Sequence, residues 1–225
     1  MLTRHPYILV VLLSFIGGYV DTFGFIALFG LFTAHITGNF VLIGSMLAHP
    51  TPGVVLKLMA FPAFILSVVM TRVIIINYEK AQRSPLRVLF SVQVVFLIGF
   101  MLVGVMAPHP IDSDKELLPI LAGMLGAAAM AIQNAGSRTT LDSLVPTTVM
   151  TGNVTNMIID LVDIFYGKNN GHKAQAVSRL RQLAPAIVAF FIGAISAAGG
   201  YIFLAFWGLL LPIVLLLILT AISKA

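Results

Sequence analysis

The residues of this 225-residue chain with the clearest chemical potential are polar side chains embedded in apolar sequence. Asp21 carries an ionisable carboxyl group, and His35 is the kind of side chain that exchanges protons near neutral pH. The tripeptide Thr-Gly-Asn also occurs twice in apolar surroundings, as Thr37, Gly38, Asn39 and as Thr151, Gly152, Asn153. Burying such groups costs free energy unless they find a partner, a proton or a solute. They are therefore the first candidates for a solute-binding site with proton or cation exchange.

Catalytic chemistry is less well supported by the sequence. The chain has no H-E-x-x-H or G-x-S-x-G motif, no glycine-rich phosphate loop and no cysteine, and its five histidines are scattered. A pair formed by Asp21 and Asp160 could suggest hydrolysis, but nothing in the sequence places the two close together. We therefore predict that the protein is not an enzyme, and we assign no catalytic residue, metal site or cofactor.

Each candidate also has a plainer interpretation. Asp21 interrupts an otherwise apolar helix, so it is either part of a cavity or a structural partner near the helix end. A single histidine such as His35 is more often a hydrogen-bonded packing residue. When the two halves of the chain are aligned, with or without a one-residue gap, Asn134 falls opposite Val20 or Asp21, and we predict that Asn134 and Gln133 face Asp21 from the other half. This recurrence favours a site, whereas buried amides also serve as hydrogen-bonding links between helices.

The composition indicates that the protein lives in a lipid bilayer. Hydrophobic residues make up 59% of the chain and charged residues 9%, and the mean hydropathy is +1.04. Runs without charge at 22–56, 88–111, 117–137 and 182–223 meet or approach the length of about 20 residues that a membrane-spanning helix needs. The net charge of +5 fits the basic cytoplasmic loops of membrane proteins and does not predict nucleic-acid binding.

Proline, glycine and charged residues divide the apolar sequence into helices. We predict spans at about 7–31, 54–78, 88–106 and 117–137, and two more on either side of about 199–207. Between them lie the first TGN segment (residues 32–48), the second TGN segment (residues 138–166) and a basic loop or surface helix at 167–181. The predicted fold is an all-α integral membrane protein with about six full transmembrane helices and two discontinuous or re-entrant TGN helices.

The two TGN motifs indicate an internal duplication. They are 114 positions apart, each follows another threonine by four residues, and a slightly larger shift pairs residues 61–69 with 184–192. Basic residues near 4, 80–87 and 168–181 should face the cytoplasm, and the connections at 49–53 and 107–116 should lie outside. These assignments predict two inverted repeats, residues 1–107 and 117–225, with both termini cytoplasmic.

Three stretches carry a resemblance to a known family: GGYVDTFGFIALFGLFTAHITGNFVLIG at 17–44, AMAIQNAGSRTTL at 129–141 and TTVMTGNVTNM at 147–157. With them the chain resembles, over nearly its whole length, the YoaK-like family of uncharacterised bacterial membrane proteins. The resemblance implies a multi-pass protein of the bacterial inner membrane and supplies no substrate. The chain departs from the family in having a single basic residue, Arg138, after the Gln-Asn-Ala motif.

These observations favour a secondary transporter of a small solute. Its site would lie between two broken helices that begin at the buried TGN motifs, a construction found in several transporters. Asp21 would couple transport to a proton or cation. A channel or an accessory membrane subunit remains the alternative, and the solute, the coupling ion and assembly into a homo-oligomer stay open.

Overall fold

The described part of the chain is helical throughout. The computed structural model describes residues 6–108, 111, 113, 115–167 and 170–223. Its α-helices are α1 (Pro6–Ala27), α2 (Ile36–Ala48), α3 (Val54–Lys80), α4 (Leu86–Met106), α5 (Leu117–Thr139), α6 (Met150–Tyr166), α7 (Asn170–Leu204) and α8 (Leu210–Ile222). The termini and the basic residues Arg4 and Lys168, on which the predicted topology depends, lie outside the described residues.

Five stretches of the described chain are long and apolar enough to cross a membrane. They are Tyr7–Ala27, Val54–Lys80, Leu86–Met106, Leu117–Thr139 and Gly171–Ile222, and the last of them, at 52 residues, contains both α7 and α8. The predicted class, an all-α multi-pass membrane protein, is therefore confirmed. The short helices α2 and α6 begin at Ile36 and Met150, one residue before each TGN motif. The prediction that a helix starts at each motif is thus also confirmed.

A 3-10 segment, Ala205–Leu209, separates α7 from α8. Its first residue, Ala205, has a φ of 46°, a left-handed conformation that halts the α-helix. Phe206 is fully buried against Gly104 of α4, where an added Cβ would collide with the ring. The hydroxyl of Tyr19 in α1 donates to the Gly208 carbonyl oxygen at 2.8 Å. The break predicted near 199–207 is therefore a buried, hydrogen-bonded feature.

Helix α7 is longer than the sequence suggested. The basic stretch up to residue 181 was expected to be a separate loop or surface helix, but it continues into the apolar helix over 35 residues. Its basic part is fastened to α6, because the Arg179 guanidinium pairs with the buried carboxylate of Asp160 through both oxygens. An Asp160 held in this way also takes no part in a pair with Asp21.

The tightest helix contact joins α1 to α7. A Cβ added at Gly18 would collide with the carbonyl oxygen of Phe190, and one at Gly193 would collide with that of Phe15. Helix α3 packs in a comparable way against α5, and α4 packs against α5 and α8. Because apolar side chains gain little by leaving lipid, close backbone approach of this kind is a main source of helix association in membranes.

Candidate functional site

The first turn of α2 forms hydrogen bonds that close the loop before this helix. The Nδ2 group of Asn39 donates to the carbonyl oxygen of Phe32 at 2.8 Å, and the N–H of Phe32 donates to Oδ1 of Asn39 at 2.9 Å. Asn39 is buried, at 1% exposure. The asparagine of the first TGN motif thus satisfies both backbone groups of a residue seven positions earlier.

Helix α6 is introduced in the same manner. The Nδ2 group of Asn153 donates to the carbonyl oxygen of Pro146 at 2.8 Å, again across seven positions. Proline has no N–H, so the reciprocal bond of the first motif has no counterpart here. The asparagines of the two TGN motifs therefore have one structural role, with two bonds in the first half of the chain and one in the second.

A carboxylate anchors the α1–α2 loop (residues 28–35). Asp21 accepts from the Ala34 N–H at 2.6 Å, and its Oδ2 lies 2.6 Å from Nδ1 of His35. The His35 N–H and the Thr33 hydroxyl lie 3.4 Å from Oδ1. Asp21 is only 4% exposed. Asp21 is therefore not isolated: the returning loop supplies it with several donors, as the interpretation of this residue as a structural partner predicts.

Two amides anchor the α5–α6 loop (residues 140–149). The Nε2 group of Gln133 donates to the Thr147 hydroxyl at 3.1 Å and lies 2.7 Å from the Leu13 carbonyl oxygen. Asn134 donates to the Thr148 hydroxyl at 3.0 Å. No hydrogen bond joins Asp21 to either amide within the described residues. The prediction that Gln133 and Asn134 face Asp21 is thus corrected: each polar helix position holds the loop of its own half.

A cavity of about 530 Å³ lies between these two loops. We call it the large cavity, and it is lined by Ala34, His35, Ile36, Thr37, Phe40, Phe61, Phe64, Ile65, Val68, Val69, Asn134, Arg138 and Val149. One wall is the apolar face of α3. The polar groups come from the start of α2 and the end of α5, so the cavity brings both halves of the chain together. Its volume is in the range of small-molecule sites.

Three of the predicted site residues line the large cavity, namely His35, Thr37 and Asn134. The others stand outside its lining: Asp21, Gly38, Asn39, Gln133, Thr151, Gly152 and Asn153. Asn39 and Asn153 are buried, whereas Thr37, Thr151 and Gly152 are exposed, contrary to the expectation that both motifs are buried. Consecutive helical residues point about 100° apart, so the three residues of one motif cannot all face inward.

The two motif glycines also differ from expectation. Glycine permits backbone conformations that other residues resist, but Gly38 and Gly152 do not use this freedom, because the described glycines with positive φ are Gly30, at 71°, and Gly53, at 115°. An added Cβ at Gly38 would lie 3.0 Å from the Phe32 ring, whereas one at Gly152 would have no neighbour within 4 Å. Close packing explains Gly38, and nothing in the structure explains Gly152.

Arg138 is the cavity residue that sequence reasoning missed. Arg138 and Asp142 are four positions apart, the spacing of an ion pair on one helix face, but α5 ends at Thr139 and Asp142 lies beyond it. Nε of Arg138 donates instead to Oδ1 of Asn134 at 3.3 Å. Gln93 was also overlooked. It is fully buried and donates to Gln133 at 3.0 Å, and a single amide in the apolar stretch 88–106 was the available signal.

The ionisable centre nearest the large cavity is the pair formed by His35 and Asp21. His35 lies in the loop between the helices, outside the candidate spans, with its side chain 30% exposed. The hydrogen bond with Asp21 raises the pKa of the imidazole; burial opposes this effect, and the negative charge of Asp21 adds to it. Among the described residues, no group of three or more histidine or acidic side chains could hold a metal ion.

Comparison with known proteins places the chain in one family. The family described as "Protein of unknown function (DUF1275)" matches residues 9–222, and the chain belongs to it. This result confirms the resemblance to an uncharacterised family of membrane proteins. No curated protein matches the chain, and no solved structure matches it either.

Proposed function

We propose that this member of the DUF1275 family is a secondary transporter of a small solute, with its binding site in the large cavity. The observation that carries the proposal is the position of this cavity. It lies where the loops before α2 and α6 approach each other, and it is lined by residues of both. Interrupted helices are tolerated at membrane depth where protein or a water-filled cavity satisfies the backbone. Transporters use such interruptions to build their sites.

The arrangement of the helices supports an inverted-repeat design for this transporter. In our proposal residues 1–107 and 117–225 form the two repeats, with α1 to α4 in the first and α5 to α8 in the second. The first helix of each repeat then packs against the third helix of the other, α1 against α7 and α5 against α3. Such reciprocal packing is expected of two units related by a twofold axis. Six helical units would cross the membrane fully, namely α1, α3, α4, α5, α7 and the unit formed by the 3-10 segment with α8, and α2 and α6 would enter it partway.

Proton coupling in this scheme runs through Asp21 and His35. Asp21 does not line the large cavity. His35 does line it, and His35 also contacts Asp21. A proton held between the two changes the charge at the cavity wall without exposing the carboxylate. Asp21 therefore acts on the solute through His35, which differs from direct contact with the solute.

The remaining parts of the proposal concern the cellular location, the partners and the competing functions. We place the protein in the bacterial inner membrane, with both termini cytoplasmic, and we assign it neither an enzymatic reaction nor a nucleic-acid partner. The competing functions are a channel and an accessory membrane subunit. They differ from a transporter in how the cavity is reached from the two sides of the membrane.

Thiol accessibility tests this proposal without knowledge of the solute, because the chain has no cysteine of its own. A Val68→Cys variant places a thiol on the wall of the large cavity. In oriented proteoliposomes we expect a membrane-impermeant maleimide to label it from either side, with only part of the molecules reacting rapidly from each. Controls with Ser84→Cys and Ser113→Cys should label from opposite faces.

Other outcomes identify the alternatives. Rapid and complete labelling of Val68→Cys from both sides, together with ion conductance, would indicate a channel. Labelling from neither side or from one side only would indicate an accessory protein and contradict transport. Labelling of the Ser84 and Ser113 variants from the same face would contradict the inverted repeats.

A further inference from the structure

The large cavity has a polar end and an apolar end. The polar groups are His35, Thr37, Asn134 and Arg138, while Phe61, Phe64 and their neighbours on α3 form the apolar side. Pockets of this kind, mostly apolar with a few convergent polar groups, bind amphipathic molecules and orient them by the polar end. The solute therefore has an apolar body of modest size and one polar group.

The polar end favours a negative charge. Among the described residues that line the large cavity, none is aspartate or glutamate, and Arg138 contributes a permanent positive charge. Asp21, the carboxylate that would favour a cation, is buried behind the loop and occupied by its donors. Asp21 therefore gives the cavity no free negative charge, and the cavity favours an anion.

The guanidinium of Arg138 has terminal N–H groups that can bind such an anion. Its hydrogen bond through Nε to Asn134 leaves the two terminal nitrogens without a hydrogen bond within the described residues. The planar guanidinium binds a carboxylate with two parallel hydrogen bonds. Because Asn134 holds the Nε edge, the guanidinium is oriented at the cavity wall.

His35 adds a contribution that depends on its proton. Its Nδ1 faces Oδ2 of Asp21, so Nδ1 carries the hydrogen and Nε2 is an acceptor in the neutral ring. Only the protonated ring offers an N–H to an anion. The charged groups around it are Asp21 from α1, which favours protonation, and Arg138 from α5, which lines the same cavity. Helices α3 and α7 present aromatic and aliphatic side chains, including Phe64 and Phe190.

We infer that the solute of the proposed transporter is a small amphipathic carboxylate, bound with its carboxylate at Arg138 and His35 and its apolar body against α3. This inference rests on the proposed function for the fate of the ligand, but the binding itself is measurable without transport. Protonation of His35 strengthens binding, so the anion and a proton enter the site together.

A matched set of probes tests the inference: 3-phenylpropionate, its neutral amide and 3-phenylpropylamine. We expect 3-phenylpropionate alone to raise the unfolding temperature of the purified protein saturably. The carboxylate is ionised throughout the range from about pH 6 to pH 8, so tighter binding at the lower pH reports on the protein. Equal or stronger stabilisation by the amide or the amine, or none by 3-phenylpropionate, would overturn the inference.

Variants locate the binding group. Arg138→Gln should weaken the carboxylate by roughly tenfold or more, and Arg83→Gln, in the exposed α3–α4 connection, should not. His35→Asn keeps a donor toward Asp21 and should remove the pH dependence. Unchanged affinity in Arg138→Gln would overturn the assignment. If 3-phenylpropionate binds but Val68→Cys does not show partial labelling from both sides, the transport proposal is contradicted and the anion site is supported. If Val68→Cys shows that labelling but 3-phenylpropionate does not bind, only the anion site is contradicted.

Discussion

The loops before α2 and α6 are built on one plan but anchored by different chemistry. Each is closed by the asparagine of its TGN motif across seven residues, and each is tied to the preceding long helix by a polar side chain. In the first half the tie is Asp21, a carboxylate that binds a histidine. In the second half it is a pair of neutral amides that bind two threonine hydroxyls.

This difference separates architecture from function. The asparagine bonds recur because any chain that interrupts a helix in an apolar setting must satisfy the freed backbone groups. The charge at the anchor does not recur, so the backbone geometry does not require it. The part of the site that can respond to protons therefore lies in the first half, at Asp21 and His35.

The largest expected contrast is between the two anchors. Asp21→Ala leaves the buried N–H of Ala34 and the partly exposed donors of His35 without an acceptor and should lower the free energy of unfolding by about 3–5 kcal/mol. Asn134→Ala removes a neutral bond to Thr148 and an exposed bond from Arg138, and it should cost about 1 kcal/mol. Unfolding by SDS in mixed micelles measures both. Equal losses would mean that the carboxylate is no more important to the fold than the amide.

The next contrast is between the two asparagines. Asn39→Ala leaves the N–H and the carbonyl oxygen of Phe32 without partners, at about 1–3 kcal/mol for each buried group. Asn153→Ala frees the carbonyl oxygen of Pro146, an exposed residue, and removes a weak 3.4 Å contact with the Met150 sulfur, so its effect should be roughly half as large or smaller. Asn39→Asp keeps the acceptor and should fall between them. A larger loss at Asn153 than at Asn39 would refute the shared role, and the same unfolding assay decides.

A smaller contrast concerns pH. The pKa of His35 is raised in the folded protein by its hydrogen bond with Asp21, so the stability from this pair is fully present below the unfolded pKa of about 6.5. It is lost as pH rises through the folded value. The stability difference between the native protein and His35→Asn should therefore shrink as pH increases from about 6 to 9. The same trend with pH should be seen when the comparison is made in an Asn134→Asp or Asn134→Ala background. A stability difference between the native protein and His35→Asn that does not change with pH would contradict the prediction.

The smallest contrast is between the two motif glycines. Gly152→Ala meets open space and gains helix propensity, so it should be neutral or stabilising by up to about 1 kcal/mol. Gly38→Ala places its Cβ against the Phe32 ring and should lose that benefit. Thermal unfolding in detergent can resolve the sign. Stabilisation at Gly38 that matches Gly152 would show that the Phe32 ring yields freely.

Local sequence signals were sufficient for most helix boundaries. The starts of α3 at Val54 and α5 at Leu117, and the end of α4 at Met106, agree with the prediction because proline, glycine or charged residues stand beside them. The continuity of α7 was missed because its two parts have different compositions. The first part is basic and the second is apolar, but both belong to one continuous helix. The contact of Arg179 with Asp160 holds the basic part of this helix beside α6.

The site was predicted less completely, because its contacts join distant parts of the chain. The motifs pointed to Asn134 and His35, but the bond of His35 to Asp21 depends on the loop returning along α1. Arg138 has the spacing from Asp142 of an ion pair on one helix face, but this pattern does not apply because α5 ends at Thr139. The apolar wall from α3 carries no signal in sequence, since phenylalanines that line a cavity resemble those that face lipid.

Tyr19 and Asp21 give α1 two attachments that cannot be adjusted separately. The two residues point about 200° apart around the helix. Tyr19 is bonded to the break between α7 and α8, and Asp21 to the loop that borders the large cavity. A tilt or rotation of α1 strains both bonds together. Because α1 is a continuous helix, a displacement of the loop bonded to Asp21 also displaces Tyr19 and the α7–α8 break to which Tyr19 is bonded.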